Sequence, residues 1–208
     1  MTTHEEAAEQ LRAIRSMMQR ATVFRALSGE AALVGGAVSL AAGWLSESRQ
    51  GWPWATVWLV GLVVVMFFAL WQLQRASAAR GAPFLSAGLK MALRGGLPSL
   101  VAGGFLGLLY VKYGAAGSET LAASLWILHY GLALLALRDF APRSMTWLGL
   151  AFLVTGIASF SAMTFVQTIT PVLRKLGPSG LMAVTFGGFH LLYGAAIVTT
   201  TRRGSSAE

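Results

Sequence analysis

His129 and His190 are the two side chains best equipped to do chemistry in this 208-residue sequence, because each falls near the middle of a long apolar run that is otherwise free of ionisable groups except tyrosine. Ionisable residues inside a membrane are expensive, so a functional role is the starting hypothesis. Tyr130 follows His129 directly, and Tyr193 lies one helical turn after His190. Three chemistries fit. In a structural one, each neutral imidazole hydrogen-bonds a neighbouring helix, with Ser124, Thr155, Ser159 and Thr185 as available partners, and pins the bundle. Histidine is the cheapest ionisable residue to bury in the neutral form, which favours this reading. In a transport one, a histidine cycles its proton while a substrate crosses a cavity lined by Tyr130, Tyr193 and glycine gaps. In the third, the two imidazoles clamp a haem iron, with Gly131 and Gly187-Gly188 making room for the porphyrin. Both histidines lie about nine or ten residues from the same end of their helices, so at roughly 1.5 Å per residue their rings can be level.

Enzyme chemistry has little to stand on. No Asp or Glu falls inside an apolar run, and the sequence holds no paired acids, phosphate-binding glycine loop, His-Glu-x-x-His or Gly-x-Ser-x-Gly. Glu119 and Asp139 fall at helix ends, where solvation is cheap, and Glu30 beside Gly29 is expected to pair with Arg25 or an interfacial lysine. No catalytic, cofactor-binding or metal-binding residue is therefore expected. The chain has no cysteine, which excludes disulfides and thiolate metal sites.

The elements that must position the histidines are long and apolar. Six windows, near residues 31–45, 54–73, 96–111, 121–137, 147–165 and 181–200, approach or reach the roughly 20 residues that cross a hydrocarbon core. Continuous apolar runs rather than alternation exclude barrel strands, so the fold class is all-α: a polytopic six-transmembrane-helix bundle. The composition, 55% hydrophobic and 12% charged, agrees. Three units follow: an amphipathic interfacial helix over 1–27, the transmembrane domain over 28–201 and a tail over 202–208. In the first, Leu11, Ile14, Met18, Ala21 and Phe24 form an apolar stripe, while Arg12, Arg15 and Arg20 are set to meet lipid phosphates. Thr3 and Glu6 have capping-box spacing. A shorter interfacial element is expected over Phe84 to Leu93, with Lys90 and Arg94 as its lipid contacts.

Of the sixteen Lys and Arg residues, only Arg49, Lys112, Arg174 and Lys175 fall outside if the N-terminus is inside. That asymmetry predicts a multi-pass protein of the cytoplasmic membrane with both termini cytoplasmic. The net charge of +8 is thus a topology signal, and no segment offers the folded basic module that nucleic-acid binding needs.

Helix order suggests three hairpins. Their first members share small-residue phrases, Leu33-Val34-Gly35-Gly36, Leu100-Val101-Ala102-Gly103-Gly104 and Gly149 to Gly156, which predict odd-numbered helices packed inward, with Gly103-x-x-x-Gly107 as a close-approach site. Pro98 is expected in the first turn of the third span. Thr170 to Leu176 reads as a short capped helix stopped by Gly177-Pro178.

The phrases Met18 to Phe24 with Leu27-Ser28-Gly29, Leu97-Pro98 before Gly103-Gly104, Tyr130 to Leu134, and His190-Leu191-Leu192-Tyr193-Gly194 resemble an uncharacterised family of small six-span bacterial inner-membrane proteins. The hairpin plan is also similar to that of HdeD-type membrane proteins in architecture. The resemblance implies a bacterial inner-membrane location and no assigned activity. Within it His190 sits in a shared phrase, whereas His129 stands where an apolar residue is expected, which weakens the haem reading. The expected function is a non-enzymatic bundle acting through helix packing with membrane lipids, a second copy of itself or a membrane partner. A small proton-linked transporter or channel is the alternative.

Overall fold

Backbone amides left unpaired in hydrocarbon cost several kcal/mol each, so the apolar runs have one economical solution, the helix. The computed structural model describes residues 29–79, 87–115, 117–139, 141–165 and 170–205, with positions 7, 9–11, 81, 83 and 84. Among the described residues the protein is all-helical with no strand. The order is α1 Gly29–Ser46, α2 Gly51–Ala78, α3 Ala87–Tyr113, α4 Glu119–Ala136, α5 Arg143–Phe165, α6 Thr170–Met182, a π-helical segment Ala183–Phe189, and α7 His190–Ser205. Arg12, Arg15 and Arg20 lie outside the described residues, and of the expected interfacial helix only positions 7 and 9–11 are seen, all helical.

Among the described residues, five helices are long and apolar enough to cross a membrane: Gly51–Ala78, Leu89–Tyr113, Glu119–Ala136, Arg143–Phe165 and Lys175–Thr200. The helix Gly29–Ser46 is not among them, since Glu30, its glycines and its serines dilute its apolar content.

Glycines decide how the helices meet. Gly29, Gly36 and Gly43 recur every seven residues along α1, the spacing that keeps one seam facing a single partner. That partner is the antiparallel run from Ser179 to Val198. A Cβ on Gly29 would lie 3.0 Å from the Gly194 carbonyl, one on Gly36 3.0 Å from the Gly187 carbonyl, and one on Gly43 2.7 Å from Ala183. Gly149 and Gly156 of α5 repeat the device against α4, where a Cβ on Gly156 would meet the Leu128 backbone nitrogen at 2.5 Å. In α3, Gly103 lies under His129 and Gly107 under Trp126, both on α4. The small residues of Gly103-x-x-x-Gly107 do mark a close approach, but to side chains rather than to backbone.

Helix α4 therefore receives a glycine seam from each side. Half of its apolar window is buried, against 17% for both α2 and α3, so the even-numbered α4 is the centre of the bundle, contrary to the inward packing expected of the odd-numbered helices. The core runs through Trp54, Trp58, Ile127, Leu134, Met145 and Phe152.

Two expectations fail at α3. The helix begins at Ala87 and runs unbroken to Tyr113, so residues 87–93 extend it rather than forming a separate element, and Phe84 stands apart and exposed. Pro98 consequently sits inside the helix, not in its first turn, and removes the donor that the Arg94 carbonyl would otherwise accept. The stop at Gly177 holds: its φ of 68° and ψ of 172° break α6, and Pro178 starts the next helical run.

Candidate functional site at Tyr130 and His190

The centre of α4, the middle of α5 and the π-helical segment converge on one aromatic cluster. Phe152 of α5 is fully buried at its heart, with Tyr130 at 4.8 Å and Phe186 at 5.0 Å between ring centroids, and with Phe189 edge-on at 5.3 Å. Such tilted and edge-to-face pairs add to the energy of burial alone. His190 closes the cluster, its ring 5.4 Å from those of both Tyr130 and Phe152.

The hydrogen bonds of His190 define its tautomer. Its Nδ1 lies 2.9 Å from the Phe186 carbonyl, which can only accept, so Nδ1 carries the proton. Its Nε2 lies 2.8 Å from the Tyr130 hydroxyl, which donates to it in the neutral ring. Both nitrogens are thus occupied, one within the helix and one across to α4. The backbone N–H of His190 turns to the Gly187 carbonyl, leaving the ring N–H in the place that a main-chain donor holds in an ordinary α-helix. The π-helical stretch makes this possible by widening the helix just before His190, which stacks Phe186 and His190 with planes 8° apart.

His129 is built differently. Its Nδ1–H donates to the Leu125 carbonyl at 2.9 Å, its Cβ and Cγ cover Gly103, and its own carbonyl accepts the Ser99 hydroxyl at 2.9 Å. Successive residues of a helix point roughly 100° apart, so His129 serves α3 while Tyr130 serves the aromatic cluster. The rings share a depth, since His190 meets the residue next to His129, but they serve different interfaces. An iron between them would have to displace Tyr130 from His190.

The hydroxyls expected as partners do not take that role. Ser124 donates to the Thr120 carbonyl, Ser159 to Gly156 and Thr185 to Leu181, each inside its own helix. The interhelical partner is Tyr130 instead. Tyr193 borders the cluster and turns toward Ser144 of α5. Lys90 and Arg94 are exposed on α3, Arg94 at the head of a shallow apolar groove that continues through Leu97 and Val101 to Phe105.

A second polar cluster went unforeseen. Ser46 and Ser179 hydroxyls lie 2.8 Å apart, Trp58 donates its indole N–H to Ser46 at 3.1 Å, and Trp54 donates to Ser179 at 3.1 Å. Nearby, the Gly51 N–H donates to the Glu119 carboxylate at 2.7 Å, and Glu119 is buried, contrary to the solvated helix end expected for it. The φ of +58° at Gly51, a region that favours glycine, aims that N–H. Trp126 stacks on Trp54 at 5.3 Å, its own indole N–H having no partner among the described residues. At the other end of the bundle Gln72 donates to Glu30 at 3.2 Å, so Glu30 is paired with a neutral amide on α2. Arg25 lies outside the described residues. The signal in the sequence was present, since Ser46, Trp54, Trp58 and Ser179 all fall near the ends of apolar runs.

No family model, curated protein or solved structure matches the chain.

Proposed function

We propose that this is a non-enzymatic membrane protein of the small six-span bacterial inner-membrane kind, with both termini cytoplasmic, that acts through helix packing and contacts with lipid, a second copy or a partner subunit. The observation that carries the reading is the closed state of the His190 site. Both ring nitrogens are used, and three aromatic rings, those of Tyr130, Phe152 and Phe186, pack against the imidazole. The Tyr130–His190 pair in this reading pins α4 to the last span.

The sixth crossing is α1. Its eighteen residues extend about 27 Å at 1.5 Å per residue, and it lies along the last span through the whole glycine seam, which supports its sharing the same depth. Orientation follows the basic residues, which crowd the end that carries Glu30 and Gln72.

The π-helical segment beside His190 favours a second reading, proton-linked transport, because such segments concentrate at functional sites. Substitution of His190 separates the two. As a pin, His190→Gln and His190→Asn leave expression and oligomeric state intact, and proteoliposomes of the wild type pass no protons beyond empty vesicles. A proton flux abolished by either substitution in a folded protein would overturn the packing reading.

A further inference from the structure

The cavity between α1 and α2, about 610 Å³, is a groove rather than a chamber. Val38, Ala41 and Leu45 of α1 form one wall, and Val57, Val60 and Val64 of α2 the other. Its floor is set by Gly61, where a Cβ would lie 3.5 Å from Val38 and 3.7 Å from Ala42. The glycine thus keeps the groove open to the flank where α2 is largely exposed.

Three features specify an occupant. The groove descends α2 from Pro53 to Val64, about 16 Å at 1.5 Å per residue, which matches one leaflet of a hydrocarbon core roughly 30 Å thick. Its mouth carries a cation. Arg49 lines it, donates Nε–H to the Leu45 carbonyl at 2.9 Å at the end of α1, and makes no ion pair among the described residues, so its terminal nitrogens remain for an anion. Trp52 lines that mouth and is 48% exposed, as aromatic rings are at the headgroup level. An apolar slot one leaflet deep, topped by a guanidinium at the interface, is complementary to a lipid with a negative head. Arginine suits such a head because its fork matches phosphate oxygens.

We propose that the groove between α1 and α2 holds one acyl chain of an anionic glycerophospholipid whose phosphate is bound by Arg49. The assignment rests on the lipid-contact reading above and names the lipid class and the binding site. In the orientation given there, the lipid belongs to the outer leaflet.

Native mass spectrometry of the full chain in mild detergent, titrated with phosphatidylglycerol and with phosphatidylcholine of the same acyl chains, tests it. The wild type is expected to bind one phosphatidylglycerol before any others and to prefer it over phosphatidylcholine. Arg49→Gln is expected to reduce phosphatidylglycerol binding about fivefold, the effect of one basic residue at a lipid surface, and to remove the headgroup preference. Ala41→Phe fills the groove and is expected to lose the first adduct of both lipids. Val60→Phe repeats that test from the other helix should Ala41→Phe fail to fold. A featureless ladder of adducts in the wild type, or a first adduct unchanged in a folded groove-filling variant, would overturn the proposal. Tyr130→Phe is expected to leave this binding untouched, so loss of the bundle pin and loss of the lipid site are read separately.

Discussion

Helix α1 has two faces that meet their neighbours in opposite ways. Toward the last span it presents Gly29, Gly36 and Gly43, and the backbones close until a single methyl group would collide. Toward α2 it presents Val38, Ala41 and Leu45, and a groove of about 610 Å³ remains. Both faces are apolar and both belong to the same eighteen residues. Apolarity therefore does not distinguish a permanent contact from an accessible one in a membrane, where lipid tails are as apolar as leucine. Side-chain size does. The comparison also separates the polar groups: the Ser46, Ser179, Trp54 and Trp58 cluster ties both faces together at one end, while the Glu30–Gln72 bond joins α1 to α2 at the other.

The strongest way to break the comparison is to make the tight face resemble the loose one. Gly36→Leu would drive a side chain into Leu191 and the Gly187 carbonyl and is expected to cost about 3 kcal/mol, seen as loss of folded protein in detergent melts. Removing the tie is expected to cost less. Ser46→Ala takes the acceptor from the Trp58 indole and the partner from Ser179, a loss of about 2 kcal/mol in denaturant titration, mostly from the buried N–H left unpaired. Tyr130→Phe removes the one bond from α4 to His190 while keeping the ring packing, and about 1 kcal/mol is expected by the same titration. On the loose face, Ala41→Phe is expected to change stability by no more than about 0.5 kcal/mol while abolishing the first lipid adduct. An Ala41→Phe variant as damaging as Gly36→Leu would show that both faces are equally closed.

Hydropathy made the helical class and five of the six expected spans legible, because satisfaction of the backbone in lipid depends on composition over a window and on little else. Helix ends were less so: α3 continues back to Ala87, and Pro98 lies inside it, because weakly apolar residues there still propagate a helix. The glycine contacts were legible only in part. Gly103-x-x-x-Gly107 follows the familiar four-residue spacing, whereas the seven-residue series of α1, and of Gly149 and Gly156 in α5, needs a longer ruler. His190 and Tyr130 were both visible as candidates, but their pairing was not. Tyr130 lies sixty residues away, and a π-helical widening that no apolar periodicity records turns the imidazole toward it. Glu119 was misjudged because burial at a helix end depends on the Gly51 loop that folds over it.

The seams of α1 and α5 are defined by atoms that are not there, and this sets the mutational tolerance of the chain. In a soluble core the intolerant positions are large residues whose loss leaves a void. Here they are the smallest residues, and they fail by gaining mass. A saturation library of this protein should therefore be depleted most sharply at Gly36, Gly131 and Gly156, where an added Cβ meets a facing helix within 3 Å, while Gly104 and Gly188, which face open space, accept alanine.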